Sequence, residues 1–310
     1  MQFNKSTLSL LAQIKLLKNR GLIIENDDRA IRYLSHIGYY RLSAYMIPFY
    51  INKKEKDHKF LANTTFNQIL NLYIFDRKLR LILLEAIERI EISFRSVINN
   101  SFVLATHSHS YLENEYFQDN EKHKKLLKKI TKAFKNSKEV FIQHYKNTYS
   151  EPKLPPLWMT IHVLTFKEVF YFYENIKCKK LKQQIAQTYN LQNKLLVSWI
   201  RVLSDLRNFC AHHARVWNRN FGTTPMTPKT KKNNLIKWPK RFENIICTNG
   251  QEIQQKNSLY ALIVIIWYFL SQMNTHSTWI ERFTKLCQDH QIDMRKLGFS
   301  KDWQDDPFWS

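Results

Sequence analysis

Five glycines in 310 residues are too few for a fold built on many tight turns, or for a Gly-rich phosphate loop. Prolines number only 8, so long helices with few connections fit this composition best. The 4 cysteines, Cys178, Cys210, Cys247 and Cys287, lie far apart with no C-x-x-C pair. That spacing argues against a zinc ribbon and a disulfide framework, and it suits a reducing cytoplasm. No apolar run reaches the roughly 20 residues of a membrane-spanning helix. The longest, Leu259–Leu270, reads as a buried helix. The N-terminus builds no secretory signal, because Gln13, Lys15 and Lys18 interrupt it. Acidic residues are also short: 26 Asp and Glu against 48 Lys and Arg leave a net charge of +22.

Apolar residues make up 44% of the chain, enough for a globular core and too rich for a disordered chain. The charge therefore sits on a folded body. Such an excess repels itself unless a polyanion is the usual company. Nucleic acid is the first candidate and an anionic membrane surface the second. A general lysine and asparagine bias of the composition stays open as a third explanation.

Helical periodicity runs through most of the sequence. Ser6–Asn19 reads as an amphipathic helix ended by Gly21, and Asp27–Asp28 opens another. Between Tyr33 and Tyr45, four tyrosines mix with Arg32 and Arg41. Such a stretch either packs a core or stacks bases and binds phosphates. Phe66–Asn99 predicts one or two long helices, with Leu79, Ile82, Leu83, Ala86, Ile90, Phe94 and Val97 along one face. Glu88, Glu91 and Arg95 fall on another face, and the plain reading of Glu91 and Arg95 is a surface ion pair. Glu121–Lys138 carries 8 lysines while Leu126, Leu127, Ile130, Ala133 and Phe134 stay in phase. This is a helix with a basic outer face, either solvated or laid on an RNA backbone. The PKLPP stretch at 152–156 marks a break, with a hinge or domain seam as the expectation. Gln192–Asn218 predicts the next long helix and Thr223–Lys240 a basic loop. Ser258–Met273 and Trp279–Leu286 predict two more helices, and the acidic, aromatic tail is expected to pack back on the body. The class expected is all-α.

The residues that carry chemistry lie in Leu203–Asn220. Wound as one helix, Arg201, Asp205, Asn208, His212, Arg215 and Arg219 form a continuous polar stripe. Leu203, Leu206, Cys210, Ala214 and Trp217 lie on the opposite, buried side. Arg207 sits beside Asn208 at the edge of the stripe. Such a set can cleave RNA without a metal or other cofactor. The 2′-hydroxyl is the nucleophile, and histidine moves a proton near neutral pH. Arginine holds the phosphate and its transition-state charge. The products would be a 2′,3′-cyclic phosphate and a 5′-hydroxyl. With 15 Arg and 11 His in the chain, an Arg-x4-His spacing arises by chance on the order of half a time, so spacing alone is a weak signal.

RNFCAHHARVWNR resembles the Arg-Asn-x-x-x-His stretch, with its trailing His-x-Arg-x-x-Asn-Arg, of abortive-infection proteins of the AbiD/AbiF type. The resemblance extends to HIGYYRLSAY, LYIFDRKLRLILLEAIERIEISFRS and LPPLWMTIHVLTF. It implies a helical bundle of the HEPN superfamily. Residues 1–60 would be an N-terminal helical region that can contact RNA, and 61–310 a helical body with a basic helical insertion around 112–150. By resemblance, Arg207, Asn208 and His212 are the catalytic set. Glu88, Glu91, Arg95, His213, Arg215 and Asn218 would support them. A homodimer is implied as the way to bring two motifs together. The resemblance further implies a bacterial phage-defence factor, held quiet or guided by a small structured RNA. The RNA-contacting residues expected are Arg32, Tyr39, Tyr40, Arg41, Lys125, Lys128, Lys129, Lys132, Arg219, Lys231 and Lys232.

Three other readings compete. A non-catalytic RNA-binding protein would use the same stripe only to grip phosphate. A membrane-surface effector would use the lysine helices, but no helix joins a large apolar face to interfacial aromatics strongly enough. A metal site at His107 and His109, or at His212 and His213, lacks the carboxylate or cysteine company that such sites usually have.

Overall fold

The computed structural model describes residues 6–52, 57–228, 238–239, 244–246, 252–254, 258–274 and 276–309. Its axis is one helix of 40 residues, Phe66–Ala105, about 60 Å long at 1.5 Å per residue. It is α4 in chain order, and it is a single helix. Its start is fixed by a capping box between Thr65 and Gln68. The predicted face is the buried one: Leu79, Leu83, Ala86, Ile90 and Phe94 are fully covered, and Ile82 and Val97 pack at the margin.

Three helices precede it: α1 (Leu10–Asn19), α2 (Asp27–Ile37) and α3 (Tyr39–Met46). The first begins later than periodicity suggested, because the Ser9 side chain caps it by accepting from the Ala12 amide. Gly38, at φ +86°, turns the chain between α2 and α3, a conformation that only glycine reaches without strain. The amide of Ile23 donates to Thr64 O, and that of Phe66 to Ile23 O, both at 2.9 Å. Leu42, Tyr45 and Met46 of α3 are buried in the same core as α4. Residues 6–50 are thus built into the body that α4 organises.

Beyond α4 come α5 (Asn120–Asn136), α6 (Val140–Thr148), α7 (Leu157–Thr160), α8 (Phe166–Asn175), α9 (Lys179–Gln187), α10 (Asn193–Ala211), α11 (Leu259–Met273) and α12 (Trp279–Asp289). Helices α3 and α7–α12 all pack against α4. The lysine helix α5 rests on α8 instead. A two-stranded antiparallel ribbon joins β1 (Asn244–Ile246) to β2 (Glu252–Gln254). The all-α class is correct, and this ribbon is the one sheet among the described residues.

The PKLPP break is packed where a hinge was expected. Pro155 and Pro156 are buried, and Pro155 O accepts from the Tyr111 hydroxyl at 2.7 Å. Helix α11 is buried along nearly its whole length. No described helix is long and apolar enough to cross a membrane. The tail does pack back: Trp303 and Phe308 are buried, and the Phe299 ring meets Tyr260 and Trp303.

At the junction of α12 and α4, His290 is almost fully buried. Its Nδ1 lies 2.7 Å from Asn71 Oδ1 and its Nε2 lies 3.1 Å from Lys78 Nζ. A lysine can only donate, so Nε2 must be the bare nitrogen and the ring is neutral. Burial first, and then the Lys78 charge, lower its pKa below the usual 6.5. The unfolded chain therefore binds the proton more readily than the native one. Stability contributed by neutral His290 is full above about pH 6.5 and is lost as pH falls toward the depressed pKa. The expected outcome is a melting temperature that drops between pH 7 and 5 in wild type and drops less in His290→Gln, measured by thermal scans at constant ionic strength.

Candidate functional site

The predicted continuous stripe on α10 does not exist, because the helix ends at Ala211 and not near Asn218. The Ala214 amide donates back to Phe209 O at 2.9 Å, and the His213 amide to Cys210 O at 3.1 Å. With His213 at φ +57°, this is a Schellman end, in which a left-handed residue satisfies the last carbonyls and stops the helix. Glycine usually holds that place, and histidine is a rarer occupant. His213 is thus the residue that terminates α10. His212 is the C-cap, and its side chain is exposed.

Past His213 the chain folds down onto α4. The carboxylate of Asp76, fully buried on α4, receives the amides of Val216 at 3.1 Å and Trp217 at 2.7 Å on one oxygen. Its other oxygen accepts from the Tyr45 hydroxyl at 2.6 Å and pairs with the Arg80 guanidinium. Burial first, and then the Asp76 charge, push the Tyr45 phenol well above its ordinary pKa, so it stays a donor. Arg80 also reaches Ala214 O at 3.3 Å. Arg215 spans to Ala44 O on α3 at 2.6 Å, and Arg41 of α3 donates to His213 O at 2.8 Å. The loop after the motif is thus held at five points by α3 and α4.

Asp76 and Tyr45 were missed by the sequence reading. Their signal was present: Asp76 stands in phase with Leu72, Phe75, Leu79 and Leu83, on the face meant for the core, with Arg80 one turn on.

The predicted residues fall into distinct groups. Arg207 is half-buried, and its one polar contact among the described residues is Asn208 Oδ1 at 3.5 Å. It opens on a cleft of about 600 Å³ whose other walls include Glu88, Glu91, Arg95 and His162. Glu88, Glu91, Arg95 and His162 thus line one cleft with Arg207. Arg95 is no surface partner: it is buried, and it pairs with Glu91 while donating to Ile161 O and, at 2.8 Å, to Leu164 O. It fastens the segment after α7 to α4. Glu88 is exposed and makes no ion pair among the described residues. Arg215 is likewise committed to structure through Ala44. Asn218 sits in a left-handed turn at φ +46°. Arg219 lies 4.0 Å over the Phe209 ring. Burial, then Arg215, lowers its pKa.

Cys210 inside the motif is buried, and burial pushes its thiol up to about 12. A thiol held protonated at neutral pH is no nucleophile. Among the described residues, no three His, Cys, Asp or Glu side chains gather as a metal site requires.

Of the expected RNA contacts, Arg32, Tyr40 and Arg41 are exposed. Tyr39 is half-covered and accepts from Arg20 at 2.9 Å. Lys125, Lys128, Lys129 and Lys132 line the outer face of α5, and Lys129 pairs with Glu168 at 3.7 Å. Lys231 and Lys232 lie outside the described residues.

The sequence model of the Abi-like protein family matches residues 32–218. That span opens within α2 and closes at Asn218, so it contains Asp76, the cleft and the stretch from Arg207 to Asn218. No curated protein and no solved structure matches the chain.

Removing the Asp76 carboxylate leaves Arg80 buried without its counter-charge and two amides without acceptors. Asp76→Ala is expected to destabilise by about 3–5 kcal/mol, with a lower urea midpoint and faster hydrogen exchange at the Val216 and Trp217 amides. A loss under about 1 kcal/mol would mean that the loop is held by something else.

Proposed function

Because the chain belongs to the Abi-like protein family, whose sequence model spans more than half of it, we propose that it is a phage-defence protein of the HEPN type that cuts RNA without a metal. The observation that carries this reading is the end of α10. The Schellman turn puts His212 at the exposed tip of a helix, and Arg207 stands free of any ion pair among the described residues. The two residues chemistry needs are therefore held by a rigid element and open to solvent. His212 moves the proton of the 2′-hydroxyl or of the leaving oxygen. Arg207 holds the phosphate. Asn208, one turn below His212 on the same face, orients the imidazole or the phosphate.

One chain supplies one such arginine and one such histidine. Five positions apart on a helix, they leave it about 140° apart, so a single copy does not converge both on one phosphate. The working site forms when a second copy of the chain faces the first. Leu81 and Ile92, 57% and 55% exposed on the cleft that Arg207 lines, are the apolar surface such a contact would cover. A net charge of +22 and the lysine face of α5 suit RNA as substrate. They also suit a small structured RNA that restrains or guides the enzyme. A cytoplasmic setting follows from this reading, since both RNAs are there.

A non-catalytic RNA-binding protein is the second reading. A version that grips RNA through the lysine face of α5 and leaves the cleft empty is favoured by Glu88, whose carboxylate on the cleft wall opposes a phosphate beside Arg207 in the single chain. The two separate by substitution. His212→Ala and Arg207→Ala are each expected to lower cleavage of total RNA about a hundredfold or more, and His212→Ala retains its RNA affinity in gel shifts. Cleavage equal to wild type in both variants overturns the nuclease assignment.

A further inference from the structure

The most exposed large hydrophobic side chain among the described residues is Tyr40, at 92%. Single exposed aromatics are ordinary on protein surfaces, so exposure by itself means little. The mounting of Tyr40 is what matters. It stands in the first turn of α3, whose inner face, Leu42, Tyr45 and Met46, is buried. The preceding hydroxyl, Tyr39, is tied to Arg20 at 2.9 Å. The following residue, Arg41, donates to His213 O at 2.8 Å, across 172 positions of sequence. The exposed ring is thus held on a rigid helix, one residue from the side chain that grips the His212 turn. Its own hydroxyl makes no hydrogen bond among the described residues.

The geometry points to a nucleotide subsite at the start of α3, in which a base of single-stranded RNA stacks on Tyr40 and its phosphate meets Arg41, beside His212. A guanidinium carries five N–H donors in a fork, and one nitrogen of Arg41 serves His213, which leaves others for a phosphate oxygen. An exposed tyrosine ring offers a face to any unpaired base, and stacking of this kind tolerates sequence. Bases in a duplex are already stacked on each other and cannot reach it. The ligand class is therefore a single strand, loop or bulge. Arg41 also explains why the N-terminal helices belong to the site, since they bring this platform to a motif that lies more than 160 positions on. This inference rests on the nuclease reading for the meaning of His212, but its test does not.

The test uses the full chain carrying His212→Ala, so that the probe survives. A short fluorescent single-stranded oligoribonucleotide and a perfect RNA duplex of the same composition are titrated by anisotropy. Tyr40→Ala is expected to weaken the single strand about tenfold, equivalent to about 1.4 kcal/mol. It should leave the duplex unchanged, while Tyr40→Trp keeps the affinity. Because the ring is exposed, the melting temperature stays that of the parent. Unchanged single-strand affinity in Tyr40→Ala overturns the subsite, as does equal weakening of strand and duplex. A change of oligomeric state on light scattering overturns it as well, and assigns the ring to a protein contact. Failure of the wild type to cut any RNA strikes the nuclease reading alone, since the binding comparison still decides on Tyr40.

Discussion

A single buried carboxylate organises the candidate site of this molecule. Asp76 lies in the first third of the long central helix, fully out of water. A carboxylate there is tolerable only if its lone pairs are filled and its charge is met. Arg80 meets the charge, and Tyr45 and two backbone amides fill the rest. Those partners come from three separate parts of the sequence: α3, α4 and the loop beyond α10. The penalty for leaving any of them unmade therefore locks the three together. Buried ionic clusters specify geometry more than they add stability, and geometry is what a site at a helix end requires.

The helical class was legible because most of the chain is amphipathic at one period. Helix α4 reads directly from Leu79, Leu83, Ala86, Ile90 and Phe94, and α2 announces its start through Asp27 and Asp28. The end of α10 was not legible. Its stop signal is a histidine in a left-handed turn, where glycine or asparagine is the residue that sequence reading looks for. The apolar rhythm also continues past the stop, through Val216 and Trp217, because the loop buries those residues on its own path. A helix pattern and a packed loop look alike when both put apolar side chains inward.

The site itself was half legible. Arg207, Asn208 and His212 stand out as polar residues in an apolar stretch. Glu88, Glu91 and Arg95 were linked to them only through the family resemblance, since periodicity puts them no more than on a second face of α4. Their roles did not follow. Arg95 has the spacing of a surface pair, yet it is buried by the segment that ends at Leu164, a contact no local rule announces. Arg215 looked like part of a polar stripe and instead fastens the loop to α3. Long-range hydrogen bonds to backbone carbonyls leave no periodic trace, and four arginines near the motif, Arg41, Arg80, Arg95 and Arg215, are used this way.

The chemistry proposed is transesterification by the RNA's own 2′-hydroxyl, supported by family membership, by His212 exposed at a rigid helix end and by the strongly basic composition. The most direct test is the identity of the RNA ends left by the purified protein in the presence of EDTA. A 2′,3′-cyclic phosphate and a 5′-hydroxyl are the expected ends, because no outside water attacks in the bond-breaking step. A 3′-hydroxyl and a 5′-phosphate would contradict the mechanism, since they require an activated water and a different set of catalytic groups.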